Sequence, residues 1–403
     1  MTAASSSQTG IGHSRTVVTV VVGAGVLAAL QVGKAPIATP LLQADFGIDL
    51  AAAGWLTAIF ALLGLVGGIP AGALVSAAGD RRILIFGLLS TVLGAATGAT
   101  APTFSILLIS RVLEGLGFLL ITIAGPAILQ RVVSTEQRDV AFAFWSCFMP
   151  TGMALAMILG PLFTEWRLLW WTIAGLTMMV LGVSVLTLPA GALKSVLSWQ
   201  KVASDALAVS KQKGPILLAL CFALYSLMFF ALFSFLPMLL MDRMGIAHGT
   251  AGVLSALASA ANVIGNLAAG YCLAHGIARS RLIAGAGLIM GLSALGIFLP
   301  ILADMPTFSL CLVFSAVGGL IPATLLASAP LVVRSSGLTP VVIGLVMQGS
   351  NLGQVVGPVA VGGAIEAFGW AAAAVTVLVS GLLVIAVAYG LRTILNFTEQ
   401  GGQ

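Results

Sequence analysis

The chain has 403 residues, 60% of them hydrophobic and only 7% charged, with a formal net charge of +5. Soluble domains carry roughly 25% charged residues, so this composition excludes a water-soluble globule. The basic residues sit in short loops between apolar runs, which excludes a nucleic-acid surface and makes length a count of membrane spans, at about 20 apolar residues each.

Residues 1–15 form a polar tail, and the apolar run after them is too long for a signal peptide, so no cleavable leader is expected. Apolar runs then fall near 16–44, 51–76, 83–100, 104–130, 140–163, 168–188, 215–241, 250–274, 281–302, 307–333, 340–365 and 370–395. The polar segment 189–214, with Lys194, Lys201, Lys211 and Lys213, divides these twelve runs into six and six. The expected fold is an all-α membrane protein of twelve transmembrane helices, arranged as two pseudo-symmetric six-helix bundles. Its parts are a cytoplasmic tail (1–15), a first bundle (16–188), a cytoplasmic linker (189–214), a second bundle (215–395) and a tail (396–403). The 48 glycines suit helices that approach closely in lipid. Cys147, Cys221, Cys272 and Cys311 lie inside apolar runs without a ligand spacing, so they read as small packing residues.

Placing both termini in the cytoplasm puts thirteen of the seventeen basic residues inside, Arg15, Arg81, Arg82, Arg131, Arg138, Arg279, Arg281, Arg334, Arg392 and the linker lysines. The positive-inside rule therefore predicts N-in, C-in. Only Arg167 and Arg243 face outward, while Lys34 and Arg111 lie within spans.

The two halves repeat. Pro40 and Asp45 match Pro237 and Asp242 at an offset of 197, and Gly47 and Gly54 match Gly245 and Gly252 at 198. Thr103, Phe104, Ser105, Gly115 and Pro126 match Thr307, Phe308, Ser309, Gly319 and Pro330 at 204. Spans five and eleven share Ala156…Gly160-Pro161 and Gly353…Gly357-Pro358, which read as tight helix packing and bends.

Two such halves joined by a polar loop resemble the major facilitator superfamily over essentially the whole chain. The stretch from Gly72 through Gly79, Asp80, Arg81 and Arg82 is similar to that family's loop signature, with Ser76 where Asp is usual and Asp80 where a basic residue is usual. The resemblance makes Gly72, Gly79, Asp80, Arg81 and Arg82 a conformational latch between the halves. Arg111-Val-Leu-Glu114-Gly115-Leu-Gly117 resembles the span-four Arg-x-x-Gln-Gly-x-Gly motif, with Glu114 replacing Gln; Trp166-Arg167 also suits the family. The second loop copy, from Gly270 to Arg281, keeps only its glycines and basic end. A looser likeness points to cyanate-permease-like members.

Lys34, Arg111 and Glu114 are ionisable groups well inside spans, where a basic residue or Asp costs roughly 2.5–3.5 kcal/mol on insertion scales. Lys34 sits about 15 Å and Arg111 roughly 10–12 Å from the outer ends of their spans, too deep for snorkelling. Their counterparts in the second half are Ala231, Ser315 and Gly318, so the charges belong to the first half alone. Two cations and one acid favour an anionic solute, with Arg offering a planar fork for oxyanions. Arg111 and Glu114, three apart on one helix face, also read as a structural pair. Glu114 is the candidate proton-coupling residue; Lys34, Arg111, Gln31 and Tyr225 are the candidate solute contacts. Asn262, Asn266, Gln348, Asn351 and Gln354 rank below them as interhelical hydrogen bonds.

The resemblance thus implies a secondary active transporter, a symporter moving a small organic or inorganic anion with protons by alternating access. It is expected in a bacterial-type cell inner membrane, as a monomer surrounded by lipid, with no cofactor, metal or nucleic-acid partner. It is not expected to be an enzyme, since no nucleotide-binding GxxxxGK[ST] occurs and the three histidines lie in the tail or loops. The alternatives are proton-driven efflux of drugs or amphipathic compounds, and a solute sensor or lipid-handling protein on the same scaffold.

Overall fold

The computed structural model describes residues 3–134, 141, 144–189, 198–332 and 338–400. Arg138, Lys194 and Arg334 lie outside them, as do the side chains of Ser76 and Lys201; Gly72 is described only by its place in a helix. Every described element is helical: α1 (Ala3–Phe46), α2 (Leu50–Ala78), α3 (Asp80–Ala99), α4 (Phe104–Val132), α5 (Phe148–Leu159, continued by a 3-10 turn Gly160–Leu162) and α6 (Trp166–Thr187). After the amphipathic linker helix α7 (Trp199–Ser210) come α8 (Lys213–Phe233), α9 (Leu236–Met244), α10 (His248–Ala274) and α11 (Arg279–Phe298). The chain closes with α12 (Asp304–Gly318), α13 (Leu320–Ser328), a 3-10 turn (Ala329–Val332), α14 (Thr339–Phe368) and α15 (Trp370–Gln400). Among the described residues, ten helical stretches are long and apolar enough to cross a membrane. This is an all-α, multi-pass membrane fold.

Matching positions make matching contacts in the two halves. The first half turns at Gly47 (φ 64°) and Gly79 (φ 88°), the second at Gly245 (φ 62°) and Gly276 (φ 77°), all in backbone regions that glycine enters without a Cβ penalty. Asp45 Oδ2 accepts the Trp166 indole N–H at 3.0 Å, and Asp242 Oδ2 accepts the Trp370 indole N–H at 3.0 Å. Gly152, Ala156 and Gly160 lay α5 against Val26, Leu30 and Ile37 of α1; Gly349, Gly353 and Gly357 lay α14 against Ala219, Ala223 and Leu227 of α8. The small residues expected to pack closely do so, backbone against backbone.

The same sequence signals also give different outcomes. Span four is one unbroken helix, whereas its copy divides at Gly319 into α12 and α13. Pro40 is carried inside α1, whereas its partner Pro237 sits in the first turn of α9, after a break at Ser234 and Phe235. Proline lacks an N–H, so either a helix restart or a tolerated gap satisfies the geometry. Met228, Phe229, Phe230 and Phe233 are all buried packing residues.

The halves meet along α2–α14 and α5–α10. At the end holding the Gly47 and Gly245 turns, a Cβ on Gly54 would strike the Pro358 carbonyl, and one on Gly252 would strike the Met157 carbonyl and the Pro161 ring. The flanks are tied by Glu366, which accepts from Leu50 N at 3.4 Å, and by His248 Nε2, 2.8 Å from the Ile37 carbonyl oxygen. Further along, Pro70 leaves the Val66 carbonyl without its helical donor, and Gln348 Nε2 reaches it at 3.4 Å from the other half. Every residue of α1 from Ala28 to Thr39 is buried, and so is every residue from Met228 to Pro237. This end is therefore sealed in the present conformation.

Gly54→Val places methyl groups on the Pro358 carbonyl and is expected to part this seal. A cysteine introduced at Ala35 should react with an impermeant maleimide from that side only when Gly54 is also replaced; equal labelling in both backgrounds would refute the seal.

Candidate functional site

The three buried charges come together in one ion triad. Arg111 and Glu114 share a face of α4, and α1 crosses it so that Lys34 Nζ lies 2.6 Å from Glu114 Oε1. Arg111 Nη1 donates to Glu114 Oε2 and, at 2.8 Å, to the Gln31 backbone carbonyl. Arg111 Nε donates to the Leu56 carbonyl of α2 at 2.9 Å. All three side chains have zero exposure.

Small residues make room for the triad. A Cβ on Gly94 of α3 would meet Glu114, and one on Gly98 would meet Ser110 and Trp170, so α3 lies directly on this part of α4. Gly115 packs against the Phe60 backbone in the same way from the α2 side. Each cation also rests on a ring, Lys34 Nζ 4.3 Å from the Trp170 centroid and Arg111 Cζ 4.6 Å from the Phe60 centroid. Desolvated cation–π contacts of this kind contribute up to about 2 kcal/mol. With all three groups ionised the triad keeps one formal positive charge, in a place where an unpaired charge is costly.

Of the other expected solute contacts, Gln31 is fully buried beside Arg111, and neither atom of its side-chain amide has a partner among the described residues. Tyr225 belongs to a separate cluster in the second half. Its hydroxyl accepts from Asn262 Nδ2 at 3.3 Å, Asn262 Nδ2 also donates to the Ser315 carbonyl at 2.9 Å, and Asn266 Nδ2 donates to Asn262 Oδ1 at 2.8 Å. This neutral network abuts the Gly318–Gly319 helix break, at the positions that match Glu114 and Gly115. Asn351 bonds its own helix at the Met347 carbonyl, and Gln354 Nε2 has no partner among the described residues.

The residues expected to form a latch, as far as they are described, bind helices of the first half. Asp80, nearly buried, takes two hydrogen bonds from Arg131, at 2.7 Å from Nε and 2.9 Å from Nη2. Asp80 also caps the Arg81 N–H at 2.7 Å, and Arg81 Nη2 reaches the Val185 carbonyl of α6 at 2.6 Å. Gly79 supplies the positive φ that turns α2 into α3, and Arg82 is exposed. The described contacts thus gather α3, α4 and α6. The basic residue that pairs with Asp80 is Arg131, from the far end of α4.

Sequence reading did not find Trp170 or Phe60, because an aromatic residue in an apolar run carries no mark of the cation it will face. It also missed the backbone carbonyls of Gln31 and Leu56, which accept hydrogen bonds from Arg111 at 2.8 and 2.9 Å. Among the described residues there is no group of three or more His, Cys, Asp or Glu suited to a metal.

A family model described as Major Facilitator Superfamily matches residues 21–339. The chain belongs to this superfamily. It is 27% identical over 286 residues to a chloramphenicol resistance protein of Streptomyces lividans, covering 68% of this chain and 70% of that one. It is 28% identical to the 3-(3-hydroxy-phenyl)propionate transporter of Escherichia coli, over 57% of each chain. It is also 30% identical to a probable 4-methylmuconolactone transporter of Cupriavidus pinatubonensis, but the match spans 32% of this chain and only 30% of that relative. Solved structures agree on the fold. The nucleoside transporter NupG superposes with a TM-score of 0.76 at 12% identity, covering 94% of this chain and 99% of that one. The human organic anion transporter MFSD10 gives 0.72 at 18% identity, covering 93% and 99%. The protein is accordingly a secondary transporter of small solutes rather than an enzyme.

The triad predicts an ordered set of stabilities. Glu114→Gln leaves two buried cations with no counter-charge, and breaking a buried pair costs about 3–5 kcal/mol. Lys34→Met and Arg111→Met each leave one cation facing one carboxylate and should cost clearly less. Thermal unfolding of the three variants in detergent tests the order; a Glu114→Gln variant as stable as the other two would show that Glu114 does not hold the charges.

Proposed function

We propose that this superfamily member carries a small carboxylate-type anion together with a proton, with the Lys34–Glu114–Arg111 triad as its binding and coupling centre. The observation that carries the reading is one carboxylate held by two cations, all fully buried, in the first half alone. Glu114 occupies the two cations in the absence of solute. A proton on Glu114 removes its charge and frees Lys34 and Arg111 for a solute carboxylate, so proton and anion bind together and leave together. Arg111 supplies a planar fork to the incoming oxyanion and Lys34 a point charge, while Phe60 and Trp170 keep the cations in place as Glu114 lets go.

Gln31 lies beside Arg111 and completes the same site; Tyr225 serves the neutral part of the solute from the second half. The names of two relatives and one structural neighbour, a 3-(3-hydroxy-phenyl)propionate transporter, a 4-methylmuconolactone transporter and an organic anion transporter, agree with a carboxylate or its cyclic ester. The looser likeness to cyanate-permease-like members agrees with an anion but not with a carboxylate in particular. In this reading the short helix α5 and the Pro-bearing α14 join the ten long apolar stretches as spans five and eleven, giving twelve. The distribution of Lys and Arg sets both termini in the cytoplasm of a bacterial-type inner membrane. Two six-helix bundles then rock about the triad, with the Gly54–Pro358 and Gly252–Pro161 contacts as the outer closure. The stretch Gly72, Gly79, Asp80, Arg81 and Arg82 acts as the inner latch, wired through Arg131.

Uptake into liposomes of the purified protein tests this. An inward proton gradient should drive accumulation of a small carboxylate, and Lys34→Met or Arg111→Met should lower uptake at least about tenfold, the equivalent of one 1.4 kcal/mol contact. Glu114→Gln should lose the response to the gradient yet keep solute exchange. Undiminished uptake by both cation variants would sink the anion site. Gradient-driven movement of cationic drugs in place of acids would favour the efflux alternative.

A further inference from the structure

Unpartnered buried polar atoms gather beside the triad. Arg111 and Gln31 have zero exposure, yet Arg111 Nη2, Gln31 Nε2 and Gln31 Oε1 have no hydrogen-bond partner among the described residues. Buried polar atoms are nearly always hydrogen-bonded, so three on two adjoining side chains ask for an explanation. Arg111 Nη1 is 2.8 Å from the Gln31 backbone oxygen, so the two residues are neighbours across α1 and α4. Gln31 Oε1 would be a ready acceptor for Arg111 Nη2, but the two do not pair.

The unused capacity has a definite chemistry. It consists of a cationic N–H donor, an amide N–H donor and an amide oxygen acceptor. The two donors match the two oxygens of a carboxylate. The acceptor matches nothing on a plain carboxylate, because an ionised acid has no hydrogen to give.

We infer that Gln31 is a specificity-determining contact for a hydroxy acid, a solute whose carboxylate meets Arg111 and the Gln31 N–H and whose hydroxyl donates to Gln31 Oε1. This rests on the anion reading above and narrows its solute class. A site built to hydrogen-bond a hydroxyl discriminates against the analogue that lacks it, because the buried acceptor is then left unpaired.

Matched acids on the purified wild-type protein provide the test: lactate against propionate, and mandelate against phenylacetate, each with its hydroxyl next to the carboxylate and each titrated by thermal shift. In at least one pair the hydroxy acid should bind about tenfold tighter. In Gln31→Met, which keeps the side chain's volume, both acids lose the amide N–H but only the hydroxy acid also loses a partner for its hydroxyl, so that ratio should fall to near one. Arg111→Met should weaken both members of the pair. Equal binding within both pairs, or an unchanged ratio in Gln31→Met, overturns the role of Gln31 and leaves the anion reading standing. Absence of binding by all four acids overturns both. If Gln31→Met does not fold, the wild-type ratios still decide.

Discussion

One carboxylate shared by two cations, out of reach of water, organises the first half of this protein. Glu114 is the counter-charge that Lys34 and Arg111 share, and among the described residues neither cation has another. The surrounding helices are arranged around that mutual need. α1 brings Lys34, α4 brings the other two, and α2 offers the Leu56 carbonyl and the Phe60 ring. α3 is drawn in against Glu114 through Gly94, and α6 supplies Trp170 beneath Lys34. Five helices thus converge on one buried group.

The second half solves the same packing problem without charge. Where Glu114 and Gly115 lie in an unbroken α4, Gly318 and Gly319 interrupt the corresponding helix, and Tyr225, Asn262 and Asn266 make a neutral hydrogen-bonded cluster against the break. The shared elements are those that govern close approach and turning: the Asp–Trp ties, the positive-φ glycines and the stripes of small residues under spans five and eleven. Scaffold is common to the halves, and ionic chemistry is not. That division is what a transporter needs if one half responds to charge and the other serves as a rigid partner.

Much of this was legible before any coordinates. Ten of the apolar runs coincide with helical stretches long enough to cross a membrane, and the Ala156/Gly160 and Gly353/Gly357 patterns foretold close packing, because in lipid small side chains permit it. Membership of the superfamily followed from the repeat and the loop signature. Helix continuity was less legible. Pro40 and Pro237 look alike in sequence, and only their surroundings determine that one is absorbed by a helix and the other starts a new one.

The sequence by itself determined that this is a multi-pass membrane protein and that Lys34, Arg111 and Glu114 stand out in the first half. Hydropathy and helical spacing are local properties, and insertion cost singles out an ionisable group wherever it lies. Only the tertiary structure decided that Lys34, eighty residues from Glu114, closes the triad, that Trp170 and Phe60 sit against the cations, and that Arg131 rather than a neighbouring residue pairs with Asp80. Those partners come from different helices, and no local pattern records which faces will meet.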